Sequence, residues 1–221
     1  MLLLAFDTST PAVTVALCDD ERVLAQSMDV DARRHGELLA PAIARVLAAA
    51  DAVPRDITAI AVGAGPGPYT GLRVGLVTAA TLADALDIPA YPVCSLDVLA
   101  AGHDGPVLVA TDARRREIYW AAYDEAGARV TGPSVDRPPV VREWLGTHPG
   151  FAILGDGALL YADEFPDSAI AEHPRYPAAT ALAQLVRADA SAGTEPEPLT
   201  PIYLRRPDAT PPGPRKQVTP A

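Results

Sequence analysis

A carboxylate and three hydroxyls stand side by side near the start of the chain, in the run from Asp7 to Thr10. They follow the apolar segment Leu2 to Phe6, which predicts a strand, and open α/β sheets bind ligands beyond the carboxyl ends of such strands. Oxygen atoms of these types could meet phosphate and metal there. The same residues would also suit an Asx-type turn that closes a hairpin before Pro11 without any ligand. Both interpretations stay open on these residues.

The second candidate is the glycine- and proline-rich loop from Gly63 to Gly75. It lies between the apolar run Ala59 to Val62, which predicts a buried strand, and residues Thr70 to Leu86, which predict a helix with Thr70 as its N-cap. Glycine lets another group approach the backbone and proline fixes φ, so the loop is rigid. It is either a phosphate cradle at a helix N-terminus or a turn whose glycines let the helix pack close to the sheet.

Phosphate-binding loops of the known types are incomplete in this chain. A P-loop needs a lysine directly after its last glycine, whereas the only lysine is Lys216, near the end of the chain. A dinucleotide-binding fingerprint needs glycine at the position of Thr70. We therefore expect at most a vestigial nucleotide or phosphate site, with weak nucleotide binding and no other cofactor, at Asp7, Thr8, Ser9, Gly65 and Gly67.

Other catalytic patterns are missing from the sequence, so we expect no catalytic residue and no metal site. No two of the four histidines have the i, i+4 spacing of a helical metal pair; they are His35, His103, His148 and His173. Cys18 and Cys94 match no zinc or redox spacing, and no Gly-x-Ser-x-Gly element occurs.

Two further motifs allow both a structural and a functional interpretation. His35 precedes a predicted helix, where a lone histidine is typical of a capping or orienting residue. The run from Arg114 to Arg116 is typical of a solvated hairpin turn, and the sharper alternative is contact with RNA or with an acidic partner. The sequence leaves the roles of both motifs open.

The composition is that of an acidic globular protein. With 221 residues, 49% of them hydrophobic, the chain is long enough for one large or two small domains. A net charge of −10 argues against a protein that grips nucleic acid by itself, because that affinity comes mainly from lysine and arginine. No basic segment precedes an apolar leader, and no uncharged run reaches about 20 residues, so we expect no membrane contact and a cytoplasmic location.

The pattern of apolar residues predicts two α/β units in series. The first contains strands at 2–6, 13–18, 23–30, 59–62 and 90–93, helices at 38–50 and 70–86, and a short helix capped by Ser95. The second contains a hairpin of strands at 107–111 and 117–123, a helix at 140–145, a strand at 151–154, a turn at 155–157 and a helix at 178–190.

A polar break from Gly102 to Pro106 separates these units. We therefore expect an N-terminal subdomain at 1–103, a C-terminal subdomain at 104–207 and a disordered proline-rich tail at 208–221. The actin-like ATPase fold is one well-populated example of such a duplication.

The helix after the glycine loop carries no charge from Val74 to Ala83, so we expect it to be covered on more than one side. Small residues recur every four positions along it, at Gly71, Gly75, Ala79 and Ala83, and admit close packing. One side can pack on the sheet. The other side must meet the helix at 38–50 or another protein.

The chain closely resembles the TsaB family, also called YeaZ, over residues 1–207. The resemblance lies in five segments that occur in order, at 4–9, 33–41, 65–73, 112–119 and 201–205. The specific one is the loop Gly65-Pro66-Gly67-Pro68-Tyr69-Thr70-Gly71-Leu72-Arg73. The hairpin Asp112-Ala113-Arg114 with Glu117-Ile118-Tyr119 and the closing Pro201-Ile202-Tyr203-Leu204-Arg205 add to it.

The resemblance implies an α/β actin-like ATPase (ribonuclease H-like) fold, with two subdomains that each have a mixed sheet flanked by helices. It also implies a non-catalytic subunit that binds and activates a TsaD-like threonylcarbamoyltransferase, with a TsaE-like ATPase in the complex and tRNA reached through the complex. A homodimer is expected when the partner is absent. The alternative is an independent actin-like ATPase, or a glycoprotease-like peptidase, that uses Asp7. The implied partner interface consists of Leu39, Ile43, Val46, Leu47, Arg73, Leu76, Val77 and Ala80.

Overall fold

Two mixed β-sheets form the framework of the protein, as a computed structural model shows for residues 1–166 and 168–205. The predicted tail at 208–221 lies outside these described residues. The first sheet has the order β3-β2-β1-β4-β5. Its strands are β1 (Leu3–Asp7), β2 (Ala12–Cys18), β3 (Val23–Val30), β4 (Ala59–Gly63) and β5 (Ala90–Val93).

Strand β1 lies at the centre of this sheet, because it pairs antiparallel with β2 and parallel with β4. Every residue of β1, β2 and β4 is buried. Their nearly continuous apolar sequences suit strands that are covered on both faces. The end of β1, where Asp7 stands, is therefore enclosed by the protein rather than open to solvent.

Two helices, α1 (His35–Ala49) and α2 (Tyr69–Leu86), pack side by side on one face of the first sheet. Leu39 of α1 and Leu76 of α2 share a hydrophobic cluster with Phe6. Helix α2 begins directly after Pro68, whose extended backbone (ψ 135°) makes it the N-cap. The prediction of Thr70 as N-cap is therefore wrong, because proline already fixes the φ that the start of a helix requires.

The second sheet has the order β8-β7-β6-β9. Its strands are β6 (Val107–Asp112), β7 (Ile118–Tyr123), β8 (Arg129–Asp136) and β9 (Ala152–Leu154), with helices α4 (Pro138–Thr147) and α5 (Asp156–Leu160). The predicted hairpin of β6 and β7 is confirmed. The expected turn at 155–157 is instead the start of α5.

Strand β8 was not among the predicted elements. It contains Gly132, with φ +87°, followed by Pro133. Both residues are typical of turns, and a strand at the edge of a sheet tolerates them because one of its sides has no partner strand. The signal of β8 in the sequence is therefore that of a loop.

Helix α3 (Ser95–Ala100) lies between the two sheets. Its Leu96 and Leu99 pack with Val107 and Val109 of the second sheet. Its Asp97 accepts a hydrogen bond from the Tyr123 hydroxyl at 2.6 Å and pairs with the Arg129 guanidinium. These apolar and charged contacts attach α3 to the second sheet, and its Val98 shares a hydrophobic cluster with Leu3 of the first sheet.

Two short 3₁₀ turns, Pro54–Asp56 and Ala162–Glu164, complete the set of elements together with α6 (Ala179–Ala192). Each sheet has three antiparallel strands in the same order. Beside the first of these, the first sheet adds the parallel strands β4 and β5, and the second sheet adds the parallel strand β9. This repeated topology with flanking helices confirms the predicted α/β actin-like ATPase (ribonuclease H-like) fold.

Helix α6 returns from the second sheet to the first. Its Leu182, Ala183 and Val186 are buried in a cluster with Leu3 and Ala5 of β1. The predicted boundary near residue 103 therefore separates the two sheets. Helix α6, however, lies after this boundary in the sequence and covers the sheet that lies before it. The independence of segments 1–103 and 104–207 as subdomains stays a prediction.

The contact of α6 with β1 predicts that Leu182→Ala destabilises the first sheet. Leu182 is 0% exposed, and removing a fully buried leucine side chain leaves a cavity that costs about 2–5 kcal/mol. Denaturant unfolding measures this cost. The matched control is Leu185→Ala in the same helix, where the side chain is 43% exposed and the expected cost is below about 1 kcal/mol. Equal losses in the two variants would contradict the packing of α6 on β1.

Candidate functional site

The carboxylate of Asp7 lies at the end of β1 and is only 1% exposed. Its Oδ1 accepts hydrogen bonds from the backbone N–H and the hydroxyl of Ser9, both at 2.7 Å. Its Oδ2 accepts one from the Ser95 hydroxyl at 2.5 Å. Burial raises the pKa of Asp7, and the hydrogen bonds from Ser95 and Ser9 lower it in part. Its hydrogen-bonding capacity is thus used inside the protein.

The glycine loop is held by the same serine. The Ser95 backbone N–H donates to the Gly65 carbonyl at 2.7 Å, and the Gly65 N–H donates to the Ser95 hydroxyl oxygen at 3.2 Å. Gly65 has a φ of +94°, a conformation that favours glycine. Loop, turn and α3 therefore form one hydrogen-bonded unit around Asp7.

Helix α2 crosses the Asp7 turn at very short range. The Thr8 hydroxyl donates to the Gly71 carbonyl at 2.8 Å. A Cβ at Gly71 would lie 2.5 Å from the Thr8 carbonyl oxygen, and one at Gly75 would lie 2.5 Å from Thr8 Oγ1. A Cβ at Gly67 would overlap the carbonyl of Ser9. The alternative in which these glycines permit close packing is confirmed.

The structure brings the five residues of the predicted vestigial phosphate site together. Thr8 and Ser9, like Asp7, are at most 2% exposed, and the helix N-terminus faces their backbone. Where Gly67 and Gly71 approach the turn, even a methyl-sized group would overlap the carbonyl oxygens of Ser9 and Thr8. Among the described residues, no buried side-chain nitrogen or oxygen lacks a hydrogen-bond partner. Nucleotide binding at this turn stays a prediction that the close packing argues against.

His35 supports the turn from the side of α1. Its Nε2 lies 2.7 Å from the Thr10 carbonyl oxygen, and the ring is 8% exposed. The structural interpretation of this histidine fits the contact. In residues 1–166 and 168–205, no three acidic, histidine or cysteine side chains are grouped as a metal site would need. No helix in the same residues is long and apolar enough to cross a bilayer.

The two cysteines are buried in the core. Burial raises the pKa of Cys94 to about 11, with a smaller contribution from the nearby Asp97 carboxylate, and burial also raises the pKa of Cys18. A thiol is nucleophilic as the thiolate, so these environments suit inert core side chains.

The residues of the implied partner interface divide into two groups. Five side chains are at most 8% exposed and pack in the chain's own core; they are Leu39, Ile43, Val46, Leu47 and Leu76. Arg73, Val77 and Ala80 are exposed along one face of α2. The implied interface as a whole stays a prediction, and the second group is the part of it that is open to a partner in this structure.

Val77 is the most exposed large apolar side chain of the described residues, at 60%. It stands in the uncharged stretch of α2, one turn after Arg73. The side of α2 that does not pack on the sheet was expected to meet α1 or a second protein. Helix α1 contacts only part of that side. The face around Val77 has no cover within the described residues.

A cleft of about 440 Å³ opens between the N-terminus of α2, the turn of the β6–β7 hairpin and the chain near residue 204. The rings of Tyr69 and Tyr203 stack there with centroids 5.3 Å apart. The Arg73 guanidinium lies 4.6 Å from the centroid of the Tyr69 ring. Tyr203, Leu204 and Arg205 line one side of this cleft. They belong to the segment 201–205, which the sequence indicates only through its resemblance to the family.

The turn of the hairpin has an uncommon backbone. Arg114, Arg115 and Arg116 have φ of 60°, 58° and 61°, the left-handed region. Each such residue costs on the order of 1 kcal/mol relative to glycine. The turn is held by Arg205, which pairs with Glu117 and donates to the Ala113 carbonyl at 2.7 Å. The predicted hairpin turn is therefore present, with a strained conformation that the sequence did not indicate.

Asp156 begins α5 just after β9, the strand at one end of the order of the second sheet. Its Oδ1 accepts the Asp112 backbone N–H at 3.3 Å. Burial raises the pKa of Asp156 to about 6, and the Asp112 carboxylate adds to the rise. Asp7 and Asp156 are thus both carboxyl groups whose pKa is raised by burial.

Known proteins are similar to this chain over most of its length. The family model described as TsaD, tRNA N6-adenosine threonylcarbamoyltransferase, matches residues 23–153. An uncharacterized protein of Mycobacterium tuberculosis (strain ATCC 25618 / H37Rv) is 44% identical over 211 residues, which are 95% of this chain and 94% of that protein.

Two named proteins extend these similarities. The tRNA threonylcarbamoyladenosine biosynthesis protein TsaB of Bacillus subtilis (strain 168) is 35% identical over 148 residues, which are 66% of this chain and 65% of that protein. The solved structure of YeaZ from Pseudomonas aeruginosa superposes with a TM-score of 0.76 at 30% identity, covering 91% of this chain and all 100% of that one. The similarity thus holds for sequence and for fold.

The close crossing of α2 over the turn predicts that Gly75→Ala destabilises the protein by about 1–3 kcal/mol, because the new Cβ must displace Thr8 Oγ1. Helix propensity alone would favour alanine by about 1 kcal/mol. The control is Gly146→Ala in α4, where a Cβ meets nothing within 4 Å and a small gain in stability is expected. Thermal unfolding compares the two variants. A gain at both positions would contradict the close crossing.

The raised pKa of Asp156 predicts a pH-dependent contribution to stability. Between pH 3.8, the ordinary pKa, and about 6 the folded chain holds the proton more tightly than the unfolded chain. The free energy of unfolding therefore falls as pH rises through this range, by roughly 2–3 kcal/mol for this group. Asp156→Asn should flatten that slope in denaturant unfolding at pH 4, 5, 6 and 7. The exposed control Asp163→Asn should leave the slope as in the wild type.

Proposed function

The chain belongs to the TsaB/YeaZ family, and on that premise we propose that it acts in the formation of threonylcarbamoyladenosine in tRNA. Within that process it is a non-catalytic subunit that binds and activates a TsaD-like transferase. The support is the membership itself, the name of the Bacillus subtilis relative, and a family model of a transferase that matches more than half of the chain. Because the TsaD family model matches this chain, the chain and a TsaD-like transferase would be related proteins, and related proteins can pair through equivalent surfaces.

The observation that carries the proposal is the uncovered face of α2. An apolar side chain that is 60% exposed, in a helix without charge over residues 74–83, is typical of a contact surface. Arg73 at one end can pair with an acidic group, and Ala80 lets a second helix approach closely. Since α1 and α2 are neighbours, a partner helix pair would complete a helical bundle on this face.

The chemistry of the buried turn supports an accessory role over an independent ATPase or peptidase. Asp7 has the geometry of a structural carboxylate, because its hydrogen bonds all go to the chain itself. Substrate would have to displace the helix N-terminus to reach it. A TsaE-like ATPase and tRNA belong to the same proposal as further members of the complex, and nucleotide is not a required cofactor of this chain.

A homodimer through the same face is the expected state of the purified chain when the transferase is absent. The exposed face of α2 would then meet its own copy, and transferase binding would compete with self-association. Both states depend on the same side chains, so one variant tests both.

The proposal predicts that Val77→Arg weakens binding of the TsaD-like transferase at least tenfold, because an arginine in the centre of an apolar contact is left desolvated and unpaired. Pulldown and titration calorimetry with the transferase of the same organism measure this loss. Thermal unfolding of the variant should match that of the wild type, since Val77 is exposed. Formation of threonylcarbamoyladenosine in a reconstituted assay should fall in parallel.

The matched control is Val140→Arg, which places the same charge on another helix at a valine that is 50% exposed. It should bind and activate as the wild type does. Unchanged transferase binding by Val77→Arg would overturn the α2 interface. Wild-type chain that binds the transferase without raising its activity would overturn the activating role.

A further inference from the structure

Strand β3 ends the order of the first sheet, and within residues 1–166 and 168–205 no strand pairs with its outer edge. The Asp31 N–H donates to the Pro11 carbonyl at 2.9 Å, in line with the register of β2 and β3. In an antiparallel pair, residues that exchange such bonds alternate with residues whose backbone groups point away. The N–H and C=O groups of Gln26, Met28 and Val30 therefore point outward.

The side chains at this edge add apolar surface. Met28 is 54% exposed and Val30 is 57% exposed. Edge strands are commonly protected from pairing by proline or by lysine, and β3 contains neither. Its one charged residue, Asp29, is paired with Arg45 of α1. The outer edge of β3 thus offers both the hydrogen-bonding groups and the apolar side chains that a pairing strand needs.

Arg45 lies on the opposite face of β3 from Met28 and Val30. Its Nη2 donates to the Ser27 hydroxyl oxygen at 2.9 Å and pairs with the Asp29 carboxylate. The side chain of Arg45 is nevertheless 51% exposed. Because a guanidinium has five N–H donors, Arg45 has donors left for a second carboxylate at this edge.

From this arrangement we propose that β3 pairs antiparallel with β3 of a second copy of the chain, so that the first sheets of the two copies join. The two-fold axis passes at Met28, which pairs with Met28 of the copy, and Gln26 pairs with Val30 of the copy. In these pairs the outward backbone groups face each other and exchange two hydrogen bonds. A second copy fits the edge because it supplies matching groups on both faces of the strand.

Charge selects this register. With Met28 on the axis, Ser27 lies opposite Asp29 of the copy, at the roughly 4.5 Å Cα spacing of a pair without backbone hydrogen bonds. Arg45 then meets the carboxylate of the copy beside its own, and Arg45 of the copy does the same in return. An axis at Asp29 would place two carboxylates directly opposite each other, which is unfavourable. An axis at Ser27 would place Asp29 opposite Ala25 and lose the contact.

The inference does not rest on the proposed transferase contact. That contact uses the exposed face of α2 around Val77, whereas the pairing uses β3 and Arg45 of α1. Val77→Arg therefore removes association through α2 and leaves the edge of β3 intact. Loss of transferase binding and loss of strand pairing are thus measured in different variants.

The full chain with Val77→Arg isolates association through β3. Sedimentation equilibrium should show a reversible dimer, with a dissociation constant on the order of 10–100 µM because one strand pair forms a small interface. Hydrogen exchange at the amides of Gln26, Met28 and Val30 should slow as the concentration rises. The Ser27 amide, which faces β2, should exchange slowly at every concentration. The wild-type chain should show the same pattern of exchange.

A proline at the centre of the edge tests the pairing directly. In the Val77→Arg chain, Met28→Pro removes an outward N–H and should weaken the dimer at least about tenfold. The monomer should stay folded, because an edge strand tolerates a proline whose missing donor faces solvent. The matched control, Met28→Thr, keeps the N–H and loses one cross-strand contact, so its loss should stay below about fivefold.

Charge variants of the same chain keep the test interpretable if the proline variant unfolds. Arg45→Glu places a third carboxylate beside the two of Asp29 and should weaken the dimer at least about tenfold. Adding Asp29→Arg reverses both charges and should restore the dimer. The control is Arg142→Glu in α4, where the arginine is 54% exposed and pairs with Glu164. It should dimerise as the parent chain does.

A dimer that is lost in Arg45→Glu and restored by the charge reversal supports the proposal. A Val77→Arg chain that stays monomeric at about 1 mM overturns it, as does a dimer that survives Arg45→Glu or a folded Met28→Pro variant. Protection of the three outward amides at every concentration would show that the chain covers its own edge. Protection only after addition of the TsaD-like transferase would assign the edge to that protein. Either of these results overturns the pairing of two copies.

Discussion

The buried carboxylate of Asp7 is the group on which the arrangement of the N-terminal half depends. It joins the turn after β1 to Ser95, which lies 88 residues further along the chain, and Ser95 in turn fixes Gly65. Burying a carboxyl group is unfavourable unless its hydrogen bonds are made. The segments that supply these bonds must therefore stay together, and the helix that follows the glycine loop is fixed at the same time.

Helix α2 shows that the sequence pattern does not reveal which of its apolar residues are buried. Its glycines and Leu76 face the turn and the sheet, whereas Val77, the next residue, faces away. Helical periodicity correctly indicates that Leu39, Val46 and Leu47 of α1 share a face. It does not say whether that face meets the chain's own sheet or a partner, and here it meets the sheet.

Much of the fold could be predicted because most strands are continuous apolar runs and both long helices are periodic. Strand β8 could not, since Gly132 and Pro133 carry the local signal of a turn while the pairing with β7 is formed by distant residues. The candidate sites follow the same rule. The turn at Asp7 is visible as a local cluster, whereas its contact with Ser95 and the stacking of Tyr203 on Tyr69 arise only from long-range packing.

The return of α6 to the first sheet affects how the protein can fold as it is synthesised. Strand β1 is synthesised well before α6, yet Leu3 and Ala5 are covered by Leu182 and Ala183 of that helix. Until α6 has been made, one face of the central sheet therefore lacks its cover. Apolar strand surface in that state favours association between nascent chains. Burial of the central strand therefore has to wait until α6 has been synthesised.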